Sequence, residues 1–267
     1  MKLSVAIIAF NEEANLARTL ESVKGADEIV VVDSGSTDRT VEIAQAYGAK
    51  VFVEAWKGFA AQKNSALAKC SSEWVLSLDA DEEVTPELAE EIARELHSKP
   101  DEDGYVIPRR NMFLGRWIRR GGFYPDAKLR LFKRSEGSFA ERAVHETARI
   151  HVPPGRLKHD LIHHSYPTLE TYLEHMNRYS TLGAQVAAQK GKTGRRLPAF
   201  LWNVVLNPLA TFLYNYVLRL GFLDGREGLL LHLYHSGYVS WKYAKAWGAA
   251  VNPTHRDEAA MNGAPGV

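Results

Sequence analysis

Trp74-Val75-Leu76-Ser77-Leu78-Asp79-Ala80-Asp81 is an apolar run that ends in two carboxylates two residues apart. The run reads as a buried strand, and in an open α/β sheet such a strand carries the residues at its end to the carboxyl edge, where these folds bind ligands. Side chains at i and i+2 leave a strand on one face, so both carboxylates can reach a single ion. A hard divalent cation, Mg²⁺ or Mn²⁺, takes one or two carboxylates and fills its shell with water and phosphate oxygens. The competing role is ordinary: acidic residues before the helix start Thr85-Pro86-Glu87.

Upstream, apolar runs alternate with helical spacing. Leu3–Ala9, Glu28–Val32 and Lys50–Glu54 read as strands; Glu12–Lys24, Arg39–Tyr47 and Phe59–Lys69 read as helices. Strands alternating with helices over short loops specify βαβ units, hence an α/β fold with a mostly parallel sheet and helices on both faces. After residue 100 the rhythm changes, with strands expected at Gly104–Arg109 and Ala127–Lys133. From Leu169 the pattern is helical to about Trp247. The expected organisation is a catalytic domain over 1–165, a helical segment over 166–250 and a disordered tail over 251–267.

At 267 residues, 45% hydrophobic and 24% charged, the chain has ordinary globular composition. The single cysteine, Cys70, excludes an internal disulfide framework and fits a reducing compartment. Met1-Lys2 runs straight into Leu3-Ser4-Val5, too short an apolar stretch for a signal peptide. The net charge of +1 conceals a split. Residues 1–100 carry 10 Lys and Arg against 18 Asp and Glu, a net of −8, and the remainder carries +9. A basic second half is suited to anionic partners. The stretch Leu197–Leu223 approaches a membrane span in hydropathy, but Asn203, Asn207, Pro208, Asn215 and Arg219 interrupt it. With Trp202, Tyr214, Tyr216, Trp241, Tyr243 and Trp247 among Arg219, Arg226, Lys242 and Lys245, the segment is expected to lie at a bilayer surface rather than cross it, the competing role being a helical pair packed on the sheet with its aromatics in the core.

Asp33 ends the second strand as Asp79 ends the fourth, so Asp33, Asp79 and Asp81 are expected on one edge of the sheet. Gly35-Ser36-Thr37 precedes a helix and offers free N–H groups to a phosphate; Asp38 suits that helix's N-cap. Ala9-Phe10-Asn11-Glu12-Glu13, Val31-Val32-Asp33-Ser34-Gly35-Ser36-Thr37-Asp38 and Leu78-Asp79-Ala80-Asp81-Glu82 together resemble the three signatures of inverting GT-A glycosyltransferases of family two. Gly122-Phe123-Tyr124-Pro125-Asp126, Arg130-Leu131-Phe132-Lys133-Arg134, Val144-His145-Glu146 and Phe222-Leu223-Asp224-Gly225-Arg226 resemble the bacterial branch that adds glucose to the lipopolysaccharide inner core. One departure is Ser34, where many relatives carry a second aspartate.

The resemblance implies a GT-A fold with a C-terminal helical extension, a UDP-sugar donor and a lipopolysaccharide-core or lipid-linked glycan acceptor. It places the enzyme on the cytoplasmic face of the inner membrane and implies no nucleic-acid partner. Residue by residue, Phe10, Asn11 and Glu12 would lie along the nucleotide and Asp33 near uracil or ribose. Gln62 and Asn64 would face the nucleotide sugar, Asp79 would touch ribose or metal, and Asp81 would ligate the metal. Expulsion of a diphosphate needs cations at the leaving group. Arg130, Lys133 and Arg134 alternate around a strand, so at most two face the site, and Arg130 and Lys133 are the residues expected there. Inversion needs one carboxylate base. Asp126, Glu141 and Glu146 are candidates; Glu146 fits the family element best and Glu141 is second, an ion pair of Glu146 with Arg142 or Arg149 being the competing role. Six of ten histidines fall between His145 and His175, without the cysteines or fixed spacing of a zinc site. His163 is the one expected to complete the cation or contact the diphosphate.

Two other classes fit less well. A nucleotidyltransferase should carry a Gly-rich basic loop after its first strand, where this chain has Phe10-Asn11-Glu12-Glu13. A non-catalytic nucleotide-sugar or RNA-binding module is opposed by the acidic strand ends and by the lack of a ribonucleoprotein signature.

Overall fold

A computed structural model of the chain describes residues 1–98, 100–140 and 147–252. In chain order the first elements are β1 (Leu3–Ala9), α1 (Leu16–Ser22), β2 (Glu28–Asp33), α2 (Thr40–Ala46), β3 (Lys50–Val53), α3 (Phe59–Lys69), β4 (Trp74–Asp79), β5 (Glu82–Val84) and α4 (Pro86–His97). A β-rich stretch comes next: β6 (Gly104–Ile107), β7 (Arg109–Phe113), β8 (Arg116–Trp117), β9 (Lys128–Lys133), β10 (Ser138–Ala140), β11 (Thr147–Arg149), β12 (Gly155–Arg156) and β13 (Leu161–Tyr166). Helices close the chain: α5 (Leu169–Gln189), α6 (Leu197–Leu201), α7 (Asn207–Phe212) and α8 (Gly225–Val251). The chain forms two compact units. Among the described residues, one comprises Met1–Asn111 and Pro125–Ser165; the other takes Met112–Tyr124 and residues 166–252.

The first unit is built on a seven-stranded sheet of order β12-β6-β9-β4-β1-β2-β3. β4, β1, β2 and β3 run parallel, and β9 lies antiparallel between β4 and β6. The bare apolar runs have a direct cause: this sheet is covered on both faces, so a central strand has little room for polar side chains. Val5, Ile7, Val31, Leu76 and Leu78 pack with Leu16, Leu20, Leu88 and Ile92 on one face. Ala6, Ile8, Val30, Val32 and Val75 pack with Ala60, Leu67 and Phe132 on the other. Cys70 is buried in this second layer, and burial pushes its thiol up to about 12, as befits a packing residue. The fold is therefore the expected one, a mixed α/β sheet with helices on both faces and a helical C-terminal region.

The start of the first helix differs from expectation. α1 begins at Leu16 rather than Glu12, because Asn11 takes a left-handed φ of 54° and the Glu12 carbonyl accepts from the N–H groups of Asn15 and Leu16 in a tight turn. The tail expected to be disordered falls, from residue 253, outside the described residues.

The second unit is mainly helical. Thr168 and Thr171 form a reciprocal capping box that starts α5. Leu197–Leu218 is one continuous helical run in which α6 and α7 alternate with π-type turns at Trp202–Leu206 and Leu213–Leu218. Pro208 has no N–H to offer the carbonyl of Val204 four residues back, and the Ser240 hydroxyl on α8 donates to that carbonyl instead at 2.8 Å. The unit's other anchor is Asp224, whose carboxylate accepts from the N–H groups of Arg119 (3.1 Å) and Arg120 (2.7 Å). Beside it, Gly121 has φ 66°, and a Cβ there would stand 1.9 Å from the His232 ring. Glycine is required twice over, by conformation and by space.

Candidate active site

Register sets the frame of the site. In the ladder, Ala9 pairs with Asp33 and Ile8 with Asp79, so the two aspartates flank the carboxyl end of β1 at nearly one level. Asp81 comes two residues later and is tied down from the other side. The His164 N–H donates to the Asp81 carbonyl (3.0 Å), β5 pairs with β13 so that His163 lies opposite Glu82, and His163 Nε2 stands 3.2 Å from Asp81 Oδ2. His163 Nδ1 meets Asn111 Oδ1 at 2.8 Å, which orients the ring. Burial alone would raise the Asp81 carboxyl, but the neighbouring His163 holds it below its ordinary value.

Asp79 is placed differently. Its Oδ1 accepts from Lys63 Nζ at 2.7 Å and its Oδ2 pairs with Arg130. Arg130 also reaches Glu82 Oε1 (2.6 Å), which accepts from Arg109 as well (2.8 Å), and Arg109 continues to Asp126 Oδ2 (2.6 Å). Lys128 closes the series on Asp126 Oδ1 at 2.8 Å. Four cations and three carboxylates thus alternate through the floor of the sheet edge. The pattern answers the desolvation problem: Glu82 is fully buried and Arg130 nearly so, and buried charges persist only when paired. Burial would raise the Asp79 carboxyl, and Arg130 with Lys63 outweighs it and holds the group well below the usual carboxylate range. Burial would likewise raise Asp126, and Arg109 with Lys128 holds it low.

The loop after β2 is closed on itself. Asp33 is buried, its Oδ1 accepts from the N–H groups of Gly35 and Ser36 (both 2.9 Å), and its Oδ2 accepts from the Ser36 hydroxyl. Asn11 N–H donates to Ser36 Oγ (2.8 Å), and Asn11 Oδ1 accepts from Thr37 N–H (2.9 Å). Asp38 Oδ1 accepts from Thr40 N–H at 3.0 Å at the head of α2, but the N-cap position expected for Asp38 is taken by Arg39. Glu12 faces inward near Asp81, Asp38 and Asp79. Burial, together with those three carboxylates, raises its pKa to about 7 despite a hydrogen bond from Asn15.

Several expected roles need correction. Lys133 pairs with Asp103 at 2.7 Å and stands in register with Trp74, at the opposite end of β4 from Asp79. It also lies an odd number of residues from Arg130, and so leaves the strand on the other face. Arg130 is near the site but committed to Asp79 and Glu82 rather than free for a diphosphate. Asn64 clamps the backbone of Phe139 through both amide atoms (2.8 Å each) instead of facing a sugar. Asp79 has both oxygens on cations, which leaves Asp81 as the better metal ligand. Gln62 is buried, with Nε2 on Ser34 Oγ (3.2 Å) and Oε1 without a partner among the described residues. Glu141, His145 and Glu146 lie outside the described residues. Lys63, Glu82 and Arg109 have no role in the sequence reading. For Lys63 a signal exists: it stands in the buried stripe Ala60, Lys63, Ala66, Leu67 of α3, where a cation must find a carboxylate.

No group of three or more His, Cys, Asp or Glu side chains poised for a metal occurs among the described residues. Asp81 with His163 therefore fits only a cation that draws most of its ligands from water and phosphate oxygens, as Mg²⁺ and Mn²⁺ do.

The raised Glu12 group yields a checkable result. With a folded pKa near 7 against an ordinary 4.5, the native state keeps a proton that the unfolded chain releases between those values. Stability therefore falls as pH climbs from about 4.5 to 7, by up to about 3 kcal/mol from this group. Urea unfolding at pH 5 and pH 7.5 should show a smaller difference in Glu12→Gln than in the parent; equal differences would contradict the assignment.

The family model described as Glycosyl transferase family 2 matches residues 4–154. The lipopolysaccharide core biosynthesis glycosyltransferase LpsC of Rhizobium meliloti (strain 1021) is 32% identical over 235 residues, which cover 84% of this chain and 82% of that protein. The uncharacterized glycosyltransferase RT0209 of Rickettsia typhi is 35% identical over 208 residues, 72% of this chain and 70% of the relative. Among solved structures, S. aureus TarS 1-349 in complex with UDP-GlcNAc aligns over 94% of this chain and 92% of its own at 18% identity, with a TM-score of 0.49.

Proposed function

The chain belongs to glycosyl transferase family 2, and on that premise we propose that it moves a hexose, glucose from UDP-glucose, with inversion, onto a sugar of the lipopolysaccharide inner core. The observation that carries the site assignment is the register that sets Asp33 and Asp79 on either side of the β1 end, with Asp81 and His163 beside them. The acceptor class is supported by the extent of the match to a core-biosynthesis relative, 84% of this chain.

In this reading the nucleotide lies over the loop of Phe10, Asn11 and Asp33. Asp81, with His163, would hold Mg²⁺ or Mn²⁺, which supplies charge neutralisation for the departing diphosphate. Lys63 and Arg130 act one step back: by keeping Asp79 ionised they fix it as an acceptor for a ribose hydroxyl. Asp126 is a poor base because Arg109 and Lys128 hold its proton affinity low against the effect of burial. That leaves Glu146, with Glu141 second, to remove the acceptor hydroxyl's proton while that oxygen attacks the anomeric carbon opposite the diphosphate. The acceptor is taken to be presented at the cytoplasmic face of the inner membrane.

The test is incubation of the chain with UDP-glucose, Mg²⁺ or Mn²⁺ and a deacylated inner-core oligosaccharide, with NMR of the product. A new β-glucosidic linkage with stoichiometric UDP is expected. UDP-glucose left intact with every core acceptor, or an α-linked product, would overturn the proposal.

A further inference from the structure

The helical run Leu197–Leu218 is 22 residues long; its most apolar 18-residue stretch has a mean hydropathy of 1.3, and only 6% of that stretch is buried. Its large apolar side chains, among them Leu201, Trp202, Val205, Leu209, Leu213 and Leu218, are 45–72% exposed. Charge around it is one-sided. From His175 to Leu223 the sequence contains no Asp or Glu, while Arg178, Lys190, Lys192, Arg195, Arg196 and Arg219 are all cationic. Cations stand immediately before the run and immediately after it. We infer that the outward face of Leu197–Leu218 is a docking surface for an anionic lipid bilayer, and that the helix lies in the plane of one leaflet.

Placement in the plane rests on what backs the helix. It runs antiparallel along α8, with Phe200 against Trp247 (5.1 Å between rings), Val204 against Ser240 and Tyr216 against His232 (6.1 Å). α8 is packed in turn on α5, where Lys245 Nζ bonds Asn177 Oδ1, Ser180 and Thr181 at 2.7–2.8 Å. A membrane-crossing orientation would pull α8 and α5 through hydrocarbon together with Lys245, Glu170, Glu174 and Arg178, which lipid does not tolerate. Lying flat, the helix immerses only its apolar face, sets Trp202 and Tyr214 at headgroup depth and leaves its flanking cations to anionic lipid. A second copy is a weaker occupant, since a two-fold interface on this face would set like cations against one another.

The surface and the transfer reaction share only the premise of a lipid-borne acceptor, and they are read by separate assays. The intact chain should co-sediment with vesicles containing phosphatidylglycerol. Binding should be at least about tenfold weaker to phosphatidylcholine vesicles and at high salt. Leu209→Glu and Val205→Glu, exposed positions whose folding is checked by circular dichroism, should each reduce vesicle binding about tenfold while leaving turnover of a soluble core oligosaccharide unchanged. Quenching lost in Trp202→Phe should be stronger from lipids brominated near the headgroup than near the chain ends. Absence of vesicle binding, binding indifferent to both substitutions, deepest quenching at the bilayer centre, or a solution dimer abolished by Leu209→Glu would each overturn the inference.

Discussion

Asp81→Asn should abolish hexosyl transfer while leaving the protein folded. Asp81 is partly exposed, its side-chain ion-pair partner is His163, and its amide analogue can still meet that ring. The fold therefore loses little. On the proposed reading the reaction loses the carboxylate that would hold a cation beside a departing diphosphate, and removal of one such electrostatic contribution is worth about a thousandfold in rate, near 4 kcal/mol. UDP release should drop by at least about that factor, with the thermal midpoint within about 2 °C of the parent. Activity within about tenfold of the parent would remove Asp81 from the reaction.

Arg130→Met should have the opposite signature, a loss of folding rather than of turnover alone. Arg130 is 5% exposed and lies between Asp79 and Glu82, the latter with no exposure at all. Methionine fills much of the volume but takes one of two cations from each carboxylate, leaving Asp79 to Lys63 and Glu82, in a fully dry position, to Arg109; breaking buried pairs of this kind costs up to about 3–5 kcal/mol. In denaturant unfolding this should be a large share of the total stability. Adding Glu82→Gln should recover part of the loss, because the second change removes the fully buried carboxylate that the first one leaves with a single cation. If the double variant is no more stable than Arg130→Met, the ion-pair series does not act as a unit.

These two residues also show how far the sequence can be read. Asp79 and Asp81 are legible as ligand-edge residues because a strand end has only one place to go in a parallel sheet, although strand parity does not carry to Asp81, which lies in the turn after β4. What strand parity cannot supply is the partner. That Asp79 answers to Lys63 and Arg130 while Asp81 answers to His163 depends on how α3, β9 and β13 pack, across long stretches of intervening chain. Lys133 falls outside the site for the same reason. Its composition fits a diphosphate site, but antiparallel β9 carries it away from the ligand edge with each residue. Asn64 illustrates a different ambiguity: an amide that could bind a sugar is chemically equal to one that clamps a neighbouring strand, and only the position of Phe139 decides between them. The central strands are the easiest to place, because burial on both faces leaves few polar positions to blur them.

The Ser240 hydroxyl on the Val204 carbonyl behaves differently in different solvents. In water, parting the outer helix from α8 would simply hand that carbonyl to a solvent molecule, and the bond is nearly neutral in free energy. Against hydrocarbon no replacement donor exists, so the same separation would strand a bare peptide oxygen at a cost of several kcal/mol. One hydroxyl opposite one proline therefore holds the helical pair more firmly where water is excluded than in solution.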